Sequence, residues 1–257
     1  MWFVVALWAL LFSSQGTPAA APDEKAVQAS LDQLDEALRS QDAKRIQAAL
    51  EGAQALPHPA LVKKIERGLD DERLEVRLAT IQALRWQTHA DALTVLHRIF
   101  RQRRFVKDAQ ISASLLRAIG QHADPSSIPL LAQEPFEPND RFCVQARLFG
   151  LARLRTPEAL EGVFTILGAT TSNGERRIKL WMEDARVALM FLTGVDRGNA
   201  PELWEEWWRK NRRAFQIASE PPKLPKELRE SWERFWGLPM GGERERRRED
   251  RGSPPSK

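Results

Sequence analysis

The sequence predicts an all-α chain: an α-solenoid of stacked antiparallel helix pairs, closed at its C-terminal end by a Trp-rich helical cap. Three observations predict it. Helix-start signals recur at Pro57, His89, Asp124 and Thr156, separated by 32, 35 and 32 residues. The segments before the last three starts carry small and apolar residues at matching positions. Five of the nine tryptophans fall between residues 204 and 236, at helical spacing, in a chain without tyrosine.

The first element is a leader. Residues 2–12 ("WFVVALWALLF") form an uncharged apolar run, followed by "SSQG" and the small residues "TPAAA", with no charge before Asp23. Such a run is too short for a membrane span, which needs about 20 residues. It fits the apolar core of a signal peptide over residues 1–21. Pro22 disfavours cleavage directly after Ala21, which leaves residues 14–16 or 17–19 to supply the motif. The expectation is a secreted or periplasmic protein with no integral span once the leader is removed. An uncleaved N-terminal helix is the alternative. Residues 22–41 then form an N-terminal helix, with apolar Val27, Leu31, Leu34 and Leu38 on one face.

Residues 42–199 form the array. Asp124 and Thr156 are each followed by proline, so a capping oxygen takes an orphan N–H and proline at the first helical position forfeits nothing. Leu84, Ile119 and Leu151 serve as reference positions, each five residues before a start. One residue earlier come the small Ala83, Ala118 and Gly150; three earlier come Ile81, Leu116 and Leu148. Five earlier are Ala79, Ser114 and Ala146, and eight earlier are Val76, Ile111 and Cys143. These spacings lie on one helix face, and the small residues permit close helix approach. A second apolar helix follows each start, at 93–100, 128–133 and 160–167. A two-helix unit cannot bury its apolar face alone and must stack on its neighbours. "GATTSNGE" (168–175) reads as a loop, and 176–192 as a helix burying Trp181, Ala185, Ala188, Leu189 and Leu192.

"DERLEVRLATIQALR" (71–85) with "HADALTVLHRIF", and "RFCVQARLFGLARLRTPEALEGVFTIL" (141–167), resemble HEAT repeats. The resemblance covers residues 42–192. It implies a scaffold that binds proteins along a surface lined by the second helices. "LTGVDRGNAPELWEEWWRKN" is similar to the tail that follows HEAT repeats in some bacterial exported proteins.

The cap spans residues 200–240. Trp204, Trp207 and Trp208 form one stripe, Trp232 and Trp236 another, and a stripe at helical spacing faces a core. Each ring buries about 150–250 Å². These five are therefore expected to seal the array, with sugar stacking as the lesser alternative. Residues 241–257 ("GGERERRREDRGSPPSK") hold no apolar residue and are expected to be disordered. Their six basic and four acidic residues supply half of the net charge of +4, which weakens any argument from charge for nucleic-acid binding.

The candidate partner site is "RIFRQRRFVK" (98–107), with Arg98, Arg101, Arg103, Arg104 and Lys107 and no acid. Cations near a helix C-terminus answer its dipole, but only within the last turn. Arg103, Arg104 and Lys107 lie beyond that turn, so an acidic protein partner is expected there. An anion- or nucleic-acid-binding protein using 98–107 is the alternative. Cys143 occupies a core position, and four scattered histidines give no metal-ligand spacing. No nucleophile–base ordering or phosphate loop stands out. No catalysis, metal or cofactor is expected.

Overall fold

The computed structural model describes residues 23–171 and 175–238, with side chains of 170–180 left aside. The expected leader and charged tail lie outside the described residues, which are helical throughout and contain no strand. The helices are α1 (Glu24–Leu38), α2 (Ala43–Ala53), α3 (Pro59–Glu66), α4 (Leu74–Trp86), α5 (Ala90–Phe100), α6 (Arg103–Val106) and α7 (Ala109–His122). They continue with α8 (Ile128–Ala132), α9 (Arg141–Leu154), α10 (Pro157–Thr171), α11 (Glu175–Thr193), α12 (Pro201–Asn211) and α13 (Lys226–Trp236).

Three of the four repeated starts are helix caps, and in the first unit the cap is His58, one residue after Pro57. His58 and His89 each accept a backbone N–H through Nδ1 at 3.2 Å, and Asp124 and Thr156 accept through oxygen. Asp42, Asp108 and Asp140 cap further helices in the same way. A side-chain cap contributes about 1 kcal/mol. The helices form two rows. In one, α2, α4, α7, α9 and α11 pack successively; in the other, α1 packs on α3 and α3 on α5, while α10 packs on α8. The reference residues Leu84, Ile119 and Leu151 are fully buried between the rows, as are Val76, Ile111 and Cys143. Ala79 and Ser114 are only half-buried, so the apolar face is narrower than the spacing suggests. Gly120 of α7 and Gly150 of α9 bring two backbones together: a Cβ on Gly120 would lie 2.7 Å from the Gly150 Cα.

Side-chain bonds join each unit to the next at a recurring separation. Arg73 donates to the Gln41 carbonyl, Gln87 to that of Leu56 and Arg155 to that of Phe191, spanning 32, 31 and 36 residues. Lys64 with Asp35, His97 with Ser127, His122 with the Leu84 carbonyl and Gln145 with Asp184 span 29 to 39. Each unit is thus tied to its immediate neighbour.

The second helix of the third unit is Ile128–Ala132, within one residue of the expected 128–133, and is preceded by a 3₁₀ turn (Pro125–Ser127). Pro135 and Pro138 lack an N–H and push the residues before them out of helical conformation. Of the expected loop 168–175, residues 168–171 continue α10 and Glu175 begins α11, leaving 172–174 outside the described residues. One glycine in a helix costs only about 1 kcal/mol, so Gly168 does not stop α10.

The cap also departs from the expected arrangement. α12 covers the last helix pair as expected: Trp204 is fully buried, and Trp208 stacks on Phe164 of α10 at 5.1 Å. α13 does not close the end. Arg155 holds the returning chain through the carbonyls of Phe191, Ala218 and Glu220. α13 then crosses the C-terminal parts of α11, α9, α7 and α4. Trp232 stacks on Phe191 at 4.1 Å and meets Phe149 at 5.2 Å. Trp236 reaches Gly120 and Arg85. It is a strap across four helices.

Candidate partner-binding groove

The basic stretch 98–107 divides when folded. Phe105 is buried and anchors α6, which turns its flanking arginines to different neighbours. Arg98 pairs with Glu66, and Arg104 pairs with Asp70 at 3.0 Å while lying over the Phe105 ring. These two tie α5 and α6 to the preceding unit. Arg101, Arg103 and Lys107 are exposed and make no ion pair among the described residues. Of the five, Arg101 and Arg103 share one feature that the sequence did not reveal. Both line an open groove of about 480 Å³ between α5–α6 and the segment after α8.

Its apolar lining is Phe100, Val106, Pro129 and Leu130. Glu134 and Glu137 line it from the segment after α8, and Arg147 of α9 lines it as well. Arg147 is 2% exposed. Its Nη1 donates to the carbonyls of Leu130, Leu131 and Gln133 at 2.8, 3.1 and 2.9 Å, and Nη2 donates to that of Glu137 at 3.1 Å. The guanidinium therefore satisfies carbonyls at the end of the truncated α8, in the manner of a C-cap. Burial pushes Arg147 down to about 10, so it remains a cation at neutral pH. Phe136 beside it stacks on Trp181 at 4.8 Å, fixing the same segment to α11.

Arg147, Glu134 and Glu137 escaped the reading of the sequence. Arg147 stands four residues after Cys143 on the buried stripe of α9, and a cation on such a stripe was the available signal.

A wider depression of about 660 Å³ over α1 and α3 is less open to a partner's charges. Lys64 and Arg67 there pair with Asp35, Glu66 with Arg98, and Asp70 with Arg104. The tryptophan stripes are internal packing, with Trp204, Trp232 and Trp236 buried and Trp207 and Trp208 joined to Phe215. Cys143 is fully buried, and burial pushes its thiol up to about 12, which keeps it out of the reactive thiolate form. Among the described residues no group of three or more His, Cys, Asp and Glu could hold a metal ion, and no helix is long and apolar enough to cross a membrane. No protein-family model matches the chain, and no curated protein matches it.

Proposed function

We propose that this protein is a non-catalytic, HEAT-like solenoid module that binds a protein partner through the groove of Arg101 and Arg103. The neighbour-to-neighbour bonds at separations of 29 to 39 residues support a repeat array, whose units contact only adjacent ones. One observation carries the binding reading. Two arginines of the basic stretch are spent on Glu66 and Asp70, while Arg101 and Arg103 face a groove without an ion pair. Arginine recognises carboxylates through a planar fork of donors. A nucleic acid is less suited, because Glu134 and Glu137 line the same groove and repel phosphate.

The test is capture of partners from the native host by the full chain. Arg101→Gln with Arg103→Gln should abolish capture; Arg98→Gln with Arg104→Gln should preserve it. Equal behaviour of the two double variants would refute the groove. The apolar run 2–12 also supports export to an extracytoplasmic compartment. Intact-mass measurement on the native protein should then find an N-terminus between residues 17 and 22, and recovery of intact Met1 in a soluble cytoplasmic fraction would refute export.

A further inference from the structure

We propose that this groove holds a short peptide segment carrying an acidic, an apolar and a basic residue. The proposal rests on the protein-binding reading and specifies its ligand.

Arg101 and Arg103 line the groove from the end of α5 and from α6, and Glu134 and Glu137 line it from the segment after α8. Among the described residues none of the four makes an ion pair. Opposite charges that line one groove without meeting leave each pair a potential of its own to satisfy. A uniformly acidic segment would find favourable contacts at one pair and repulsion at the other, and a uniformly basic segment would fare no better. The same groove has an apolar lining at Phe100, Val106, Pro129 and Leu130. Covering an aliphatic side chain there adds affinity that exposed charges alone do not supply. The volume of about 480 Å³ lies within the usual range of ligand sites, about 300–1,000 Å³.

The acidic segment is also built to keep its shape. Glu134 has φ 46°, a left-handed conformation that is strained for a residue with a Cβ. Arg147 holds the carbonyls of Gln133 and Glu137, one on each side of Glu134. Its four Nη hydrogen bonds all go to backbone carbonyls, and the nearby Glu134 carboxylate favours its charge. Strain retained by a buried cation at the lip of a groove marks a preorganised site.

The experiment uses the full chain and capped, fluorescent peptides with glycine flanks, read by anisotropy. The mixed peptide places glutamate, leucine and lysine in succession; the controls are glutamate-leucine-glutamate, lysine-leucine-lysine and a single-stranded oligonucleotide. The mixed peptide should bind tightest, by about tenfold over either control peptide. Arg101→Glu with Arg103→Glu should shift preference to the all-basic peptide. Glu134→Lys with Glu137→Lys should shift it to the all-acidic one. A lack of preference among the three peptides, or tighter binding of the oligonucleotide, would overturn the proposal. If partner capture still requires Arg101 and Arg103 while no peptide is favoured, the ligand class is wrong and the binding reading stands. If capture ignores both arginines, that reading fails as well.

Discussion

Arg85 Nη2 donates a 2.9 Å hydrogen bond to the carbonyl oxygen of Trp236, joining two residues 151 apart in the sequence. Arg85 is 4% exposed, and burial together with Arg117 and Arg153 pushes it down to about 9. Its guanidinium lies over the Trp86 ring at 4.7 Å, and Arg153 lies over the Trp236 ring at 4.9 Å. The last carbonyls of a helix have no partner within the helix. Gly237, at φ 68°, ends α13, and Arg85 takes the freed Trp236 carbonyl and so fixes the helix to α4, far away in sequence.

The strap should accordingly carry much of the stability. Trp236→Ala empties a fully buried site between α4, α7 and α9 and should cost about 3–5 kcal/mol. Arg85→Met removes the donor to the Trp236 carbonyl and should cost about 1–3 kcal/mol. Urea unfolding of both variants checks this. A Trp236→Ala midpoint equal to that of the parent would mean that α13 only rests on the array.

Arg147 should matter beyond its single charge. Arg147→Lys keeps the cation but cannot fork across four carbonyls, and each buried acceptor left unpaired costs about 1–3 kcal/mol. The variant should lose at least about 2 kcal/mol and admit limited proteolysis between residues 133 and 140. Parent-like resistance to protease would show that the Phe136–Trp181 stack alone holds the segment.

The array was legible in the sequence because its signals are local. A cap, a proline and a 3.6-residue apolar period sit within one helix, so Asp124, Thr156 and the Leu84–Ile119–Leu151 register could be read directly. The stripe of Trp232 and Trp236 announced burial but not against what, since Phe191, Phe149 and Arg85 lie 41 to 151 residues away. The groove was half legible. Five cations in ten residues were evident, but only the folded chain shows Glu66 and Asp70 removing two of them. Glu134 and Glu137 join the site because two prolines and Arg147 cut α8 short, a tertiary outcome with no periodic trace.

Acid should weaken the fold near pH 6. His97 and His122 are both pushed below the usual imidazole value of 6.5, chiefly by burial. His97 Nε2 lies 2.9 Å from the Ser127 hydroxyl, and His122 Nε2 donates to the Leu84 carbonyl. The unfolded chain then takes up protons first, so stability is complete above the ordinary value and declines as pH falls through it toward the folded values. Asp184, raised by burial, acts in the opposite sense. Urea midpoints should fall between about pH 7.5 and about pH 5.5, and His97→Gln with His122→Asn should flatten the slope. A slope unchanged in the double variant would assign the effect elsewhere.

The approach of α7 to α9 gives the sharpest steric test. A Cβ on Gly120 would sit 2.7 Å from the Gly150 Cα and 3.2 Å from Trp236 Cη2. The first is backbone and the second is the tip of a clamped ring, so neither can retreat cheaply. A Cβ on Gly150 would meet Leu131 Cδ1 at 3.2 Å and the Gly120 Cα at 3.3 Å. There the nearest atom ends a leucine that can turn. Alanine gains about 1 kcal/mol of helix propensity over glycine at either site. Overpacking costs about 1–3 kcal/mol, and the shorter distances place Gly120→Ala toward the upper end. Gly120→Ala should therefore destabilise by about 1–2 kcal/mol net, whereas Gly150→Ala should fall within about 1 kcal/mol of the parent. Trp236 fluorescence should shift in the first variant alone, as the strap is lifted. If Gly120→Ala proves as stable as Gly150→Ala, the two helices do not pack backbone to backbone, and the strap does not rest on their crossing.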